Sequence, residues 1–295
     1  MKSRATLGWL TVLVLAAGAL IAGGVWLSNT LKDALAPGLA LGCTATVGGG
    51  DYSLALDQTE NAALISTIAT QRGMPARAAS IALATAMQES RLRNIDYGDL
   101  DSVGLFQQRP SQDWGTVAQI MDPVYSTNAF YDVLAQVPNY VNLPINDAAQ
   151  IVQRSGFPHA YAQHEPLSRA FASALTGQSP HALNCTLAPV TAVSPPEQLI
   201  TAAQGAVGQV VASTSSSAAG DTVLLEVDEA NGWRLAHWAL AYANQLGISQ
   251  INYAGYSWDR DAITDGHNVG WQASEDVSAG AVSILLPSSV TVPAG

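Results

Sequence analysis

The sequence predicts a mainly α-helical domain behind one N-terminal transmembrane helix, followed by a small α+β domain. Three observations carry this prediction. Residues 7–27 form an uncharged run dominated by Leu, Val, Ala, Ile and Gly, with Trp9 and Trp26 near its ends. Between residues 57 and 175, several stretches repeat apolar side chains at helical spacing. Around residue 187 the composition shifts to Pro, Ser, Ala and Gly, and beyond 220 short strand-like runs alternate with one helical run.

At about 1.5 Å per residue, the run 7–27 reaches about 30 Å, the thickness of a bilayer core. Lys2 and Arg4 precede it with no acidic residue among them, which places residues 1–6 in the cytoplasm and the bulk of the chain outside. The rival reading is a cleaved signal peptide. Ala34-Leu35-Ala36 fits the small-x-small pattern, but Pro37 directly after it makes a poor cleavage site, so a retained anchor in the lipid bilayer is expected. Residues 28–50 then read as a flexible spacer ending in Gly48-Gly49-Gly50. In an oxidising compartment, the two cysteines of the chain, Cys43 and Cys185, are expected to pair as a disulfide. From residue 51 on, nine basic residues stand against 22 acidic ones, a net of −13. That balance argues against nucleic acid as a partner and against polybasic adhesion to anionic lipid.

The region 51–186 reads as one globular domain. Asp57 and Glu60 resemble a capping box ahead of Ala62, Ala63, Ile65, Ile68 and Ala69, a pattern that ends at Gly73. Pro75 suits the first position of a second helix running to about Leu92. Ala82, Thr85, Ala86 and Glu89 share one stripe of it, so Glu89 sits beside small side chains that leave room for another molecule. Residues 94–103 form an Asp- and Gly-containing turn, and further helices are expected at 122–135, 145–153 and 166–175.

Glu89 closes its helix as Glu89-Ser90, and after the polar turn comes Gly104-Leu105-Phe106-Gln107. A carboxyl group whose pKa is raised by an apolar setting can protonate the leaving oxygen of a glycosidic bond. From residue type alone, a Glu at a helix end is far more often a solvated surface group. The paired motifs, however, resemble the lysozyme-like lytic transglycosylase superfamily, with Phe106 where that pattern carries Met. The resemblance covers about residues 54–180. It implies a lysozyme-like, glycan-cleaving domain acting on the N-acetylmuramic acid to N-acetylglucosamine bond of peptidoglycan, with Glu89 as general acid and then base. In lytic members the sugar's own 6-hydroxyl captures the cation, so no second carboxylate and no cofactor are required. Ser90 and Gln107 would then contact substrate or support the acid, although Ser90 also suits a helix cap and Gln107 a bond to the turn backbone.

Asp99 and Asp101 are the candidates for a second carboxylate that would direct a water and give muramidase-type hydrolysis; Asx-type turn bonds are the simpler reading. The superfamily's later Tyr-Asn-Ala-Gly-like segment has no counterpart. Ala160-Tyr161-Ala162 comes nearest, making Tyr161 a candidate cleft residue. Its loss leaves open a domain that binds or scaffolds the wall without cutting it. His159, His164 and His181 lack metal-ligand spacing.

Residues 187–220 read as a linker carrying a short helix at 197–211, and 221–295 as the accessory α+β domain, with strands at 222–227, 251–253 and 281–286 around a helix at 234–246. The stretch from Gly232 to Trp271 resembles small C-terminal domains of exported actinobacterial wall proteins.

Overall fold

The computed structural model describes residues 38–275 and 280–288. The chain forms two compact units, and the first, Met1–Leu39, lies almost wholly outside the described residues, as does the expected anchor at 7–27. No helix among the described residues is long and apolar enough to cross a membrane. The second unit begins at Ala40.

This unit corrects the mainly α expectation, because among the described residues eleven strands in three sheets accompany its helices. The first two strands, β1 (Gly42–Val47) and β2 (Gly50–Leu54), form a hairpin closed through Gly48 and Gly49. A glycine-rich hairpin turn and a flexible spacer share the same composition, so the sequence pattern alone read these residues as spacer.

Helices follow: α1 (Leu56–Gln71), α2 (Ala76–Ser90), the short α3 (Val117–Ile120), α4 (Pro123–Ala135), α5 (Ile145–Gln153) and α6 (Glu165–Leu175). The start of α1 differs from the expected capping box. Gln58 folds back to accept from the Ala55 N–H at 2.9 Å, while Asp57 takes Arg93 at 2.6 Å. Helix α2 lies at the centre, against α1, α4, α5 and α6, and every residue from Ala78 to Ala86 is buried. Its alanines allow that many neighbours, since small side chains let helix axes approach closely.

Strand β3 (Leu183–Thr186) returns to pair with β1, which becomes the middle strand in the order β2-β1-β3. Cys43 stands opposite Cys185 in that antiparallel register, and the expected disulfide joins them.

The stretch read as a linker holds α7 (Pro196–Val207) and β4 (Ala212–Ser217), the latter a Ser- and Thr-rich edge strand that is exposed along most of its length. An edge strand with little to bury carries no hydrophobic alternation, which explains its linker-like composition. The chain continues through β5 (Gly220–Glu226), α8 (Glu229–Ala241), α9 (Ala243–Leu246), β6 (Gln250–Tyr253) and β7 (Tyr256–Asp259). The short β8 (Ile263–Thr264), β9 (His267–Asn268) and β10 (Gln272–Ala273) precede β11 (Ala281–Pro287). Six of these strands form one antiparallel sheet in the order β10-β7-β6-β11-β5-β4.

Helix α8 packs on that sheet and, on its other side, on α6 and β3, so it is buried nearly all round. His237 Nδ1 must carry the proton it gives to the Ala174 carbonyl, 2.8 Å away, because a carbonyl can only accept. Burial pushes the His237 pKa down to about 4. Arg260, only 3% exposed, donates to the carbonyls of Ile248, Ala188 and Ala243 at 2.6–2.8 Å. Burial lowers its pKa to about 10, so it remains a cation at neutral pH and binds residue 188 to the sheet's helix layer.

The Cys43–Cys185 bridge spans 142 residues, and a closed loop of that size contributes about 5 kcal/mol in the chain-entropy model. Replacing both cysteines with alanine is therefore expected to lower unfolding free energy by about 2–5 kcal/mol in denaturant titrations. Identical midpoints for the variant and the oxidised protein would contradict this.

Candidate functional site

Helix α2 is buried through Ala86; Met87, Gln88 and Glu89 are half-buried, and Ser90 is buried again. The helix then ends without glycine. Arg91 and Leu92 both adopt left-handed backbone, with φ of 55° and 58°. Their N–H groups return to the carbonyls of Met87 and Ala86 at 3.1 and 3.0 Å and so satisfy two of the helix's last carbonyls. Two non-glycine residues in this region cost on the order of 1–3 kcal/mol each. Compensation comes from the full burial of Leu92 and from α1, whose Gln58 and Asn61 amides donate to the Arg91 and Leu92 carbonyls, both at 2.8 Å.

The segment 104–107 is fixed against this exit. Ser90 Oγ donates to the Leu105 carbonyl at 2.7 Å and accepts from the Arg93 N–H. Gly104 has φ of 81°, and a Cβ there would stand 2.8 Å from the Ile120 carbonyl oxygen, so only glycine fits both demands. Leu105 and Phe106 are fully buried, and Phe106 stacks on Phe130 with ring centroids 4.7 Å apart. Gln107 turns to the polar loop: its amide donates to the carbonyls of Tyr97 and Gly104, and its Oε1 lies against Gly98 with no room for a Cβ. Ser90 and Gln107 are thus engaged with the protein itself, supporting the segment beside the acid.

Glu89 Oε1 accepts from the Tyr161 hydroxyl at 2.7 Å. Burial raises the Glu89 pKa above the ordinary 4.5, while hydrogen bonds from Tyr161 and Gln153 pull in the opposite direction without cancelling it. Tyr161 is fully buried, and its own pKa is raised by burial and by the adjacent carboxyl, so it stays a phenol and a donor. Gln153, the last residue of α5, also donates to the Phe106 carbonyl at 2.9 Å, linking the acid to the 104–107 segment. Gln153 belongs to no sequence motif, and nothing in the sequence marked it.

Asp101 is occupied differently. Arg109 at 2.6 Å, with the Ser111 N–H and hydroxyl at 2.8 and 2.9 Å, holds its carboxyl well below the usual range. Asp99 is exposed and its carbonyl accepts from the Ser102 N–H. Among the described residues, no hydrogen bond connects either to Glu89, whose partners are Tyr161 and Gln153. No cluster of three or more potential metal ligands occurs among the described residues. An apolar cavity of about 270 Å³ lies apart from these residues, between α1, α7 and α8, lined by Leu64, Ala202, Trp238 and Tyr242 among others.

No family model matches this chain, and no curated protein matches it.

A raised carboxyl pKa has a stability consequence of definite sign. Below about pH 4.5 Glu89 is protonated in both folded and unfolded chains; above it the unfolded chain ionises first, so the folded state loses stability until the folded pKa is passed. An amide in its place would not titrate. The melting temperature of Glu89→Gln relative to the natural protein should therefore rise between pH 4 and pH 7, and a difference that stays flat or falls would refute the raised pKa.

Proposed function

We propose that this protein is a peptidoglycan glycan-strand cleaving enzyme in which Glu89 is general acid and then general base. The observation that carries this reading is a half-buried carboxyl with raised pKa, oriented by a buried tyrosine hydroxyl and placed beside Gly104–Gln107. The resemblance of Glu89-Ser90 and Gly104-Leu105-Phe106-Gln107 to the lytic transglycosylase superfamily supports the substrate class. The disulfide supports an extracytoplasmic address. Residues 7–27, apolar in sequence, would attach the protein to the lipid bilayer.

In this reading, the protonated Glu89 gives its proton to the leaving glycosidic oxygen as the sugar ring becomes oxocarbenium-like. The resulting carboxylate then takes a proton from the nucleophile. With Asp101 tied to Arg109, the anhydro-forming route, in which the sugar's 6-hydroxyl attacks, fits better than water activated by that carboxylate. Tyr97 and Phe157, 70% and 77% exposed, supply apolar ring faces for sugars on the two loops whose backbones lead to Gln107 and Tyr161.

Incubating the full chain with purified peptidoglycan should release anhydromuropeptides, detected by mass spectrometry. Loss of a general acid costs about 10²–10⁴-fold, so Glu89→Gln should fall at least 100-fold. Unchanged release by that variant would overturn the role of Glu89, whereas sedimentation with peptidoglycan without any release would favour a binding protein. Tyr161→Phe removes a bond that lowers the Glu89 pKa, so the alkaline limb of its pH–rate profile should move to higher pH.

A further inference from the structure

Next to the acid, Gln88 points its side-chain oxygen at two donors from the chain that follows Tyr161. Gln88 Oε1 lies 2.9 Å from His164 Nε2 and accepts from Gln163 Nε2 at 3.1 Å. Because that oxygen can only accept, His164 carries a proton on Nε2. Burial lowers the pKa of His164, which favours the neutral ring with its remaining lone pair on Nδ1.

Both donors belong to the single 3-10 turn Ala162–His164, whose preceding residue is Tyr161, and α6 starts at Glu165 directly after it. The segment before Tyr161 is mostly exposed from Arg154 to His159, but α5 ties it down, with the Gln150 and Asn146 amides donating to the Ser155 and Pro158 carbonyls at 2.8 Å each, and the Ser155 side chain hydrogen-bonds Tyr161. Tyr161 is thus held from both sides, and its C-terminal side is the one bonded to Gln88, next to the acid. Two consecutive residues of α2 meet this one turn, Gln88 through the pair of amide and imidazole bonds and Glu89 through the phenol.

We propose that Gln88, Gln163 and His164 form a positioning clamp that fixes the Tyr161 hydroxyl on Glu89, and thereby sets both the orientation and the proton affinity of the acid. This rests on the role proposed for Glu89, but it is testable without substrate. Gln88→Met keeps the length of the side chain and removes the acceptor. His164→Gln retains a donor at the same reach, whereas His164→Ala does not.

The experiment is a ¹³C NMR titration of the Glu89 carboxyl in the full chain, with circular dichroism and melting temperature recorded to confirm folding. Gln88→Met and His164→Ala should raise the Glu89 pKa in the same direction as Tyr161→Phe, and His164→Gln should restore it. With peptidoglycan as substrate, kcat should drop roughly tenfold with KM little changed, as expected when a catalytic group is misplaced and binding is intact. A Glu89 pKa that moves in Tyr161→Phe and stays put in folded Gln88→Met would overturn the clamp. Should the titrations follow the expected pattern in a protein that releases nothing from peptidoglycan, the clamp stands and the glycan-cleaving role falls.

Discussion

The way α2 ends governs the rest of the site. A helix of buried alanines has to deliver one carboxylic acid to a half-buried position and then leave at once, and it does so through two left-handed residues with no glycine between them. The strain is tolerated because Leu92 is driven into the core and because α1 lends Gln58 and Asn61 to the exposed carbonyls. Ser90 converts the same exit into an anchor for Leu105. The acid, the segment 104–107 and the helix end are consequently one mechanical piece, and their spacing in sequence reflects that.

Around this piece, the molecule is more continuous than its composition implies. Besides the short helix its sequence suggested, the segment from 187 to 220 provides a sheet edge, and Arg260 gathers carbonyls from residues 188, 243 and 248 about one buried cation. A buried guanidinium is costly unless its donors are satisfied; three carbonyls take three of its five N–H groups, and the Asp261 charge also favours the cation. Helix α8 then shares its surface between the six-stranded sheet and α6.

Much of this was legible in the sequence where one residue or one period decides the outcome. Pro123 opens α4, the apolar repeats mark α5 and α6, and two cysteines can form only one bridge within these 295 residues. Glu89 was visible through its neighbours along the chain. What escaped notice depends on distant partners. The β1–β2 hairpin looks like a spacer until β3 pairs with it, and β4 looks like a linker until β5 does. Gln153, Gln88 and Gln58 are ordinary glutamines in sequence; their importance comes from which carbonyl, carboxyl or N–H group the fold brings to them. For Ser90 and Gln107 the sequence offered both a substrate role and a bond within the protein, and the fold supplies the latter, Gln107 to the turn backbone and Ser90 to the Leu105 carbonyl.

The placement of β1 between β2 and β3 also sets a schedule for biosynthesis. Its hairpin partner follows immediately, but Cys185 is 142 residues away, which at ribosomal speeds of about 5–20 residues per second is a delay of roughly 7–30 s. Throughout that interval Cys43 is a thiol on a strand with one edge unpaired. No other cysteine lies between the two, so Cys185 is the first residue after Cys43 with which it can close a bridge.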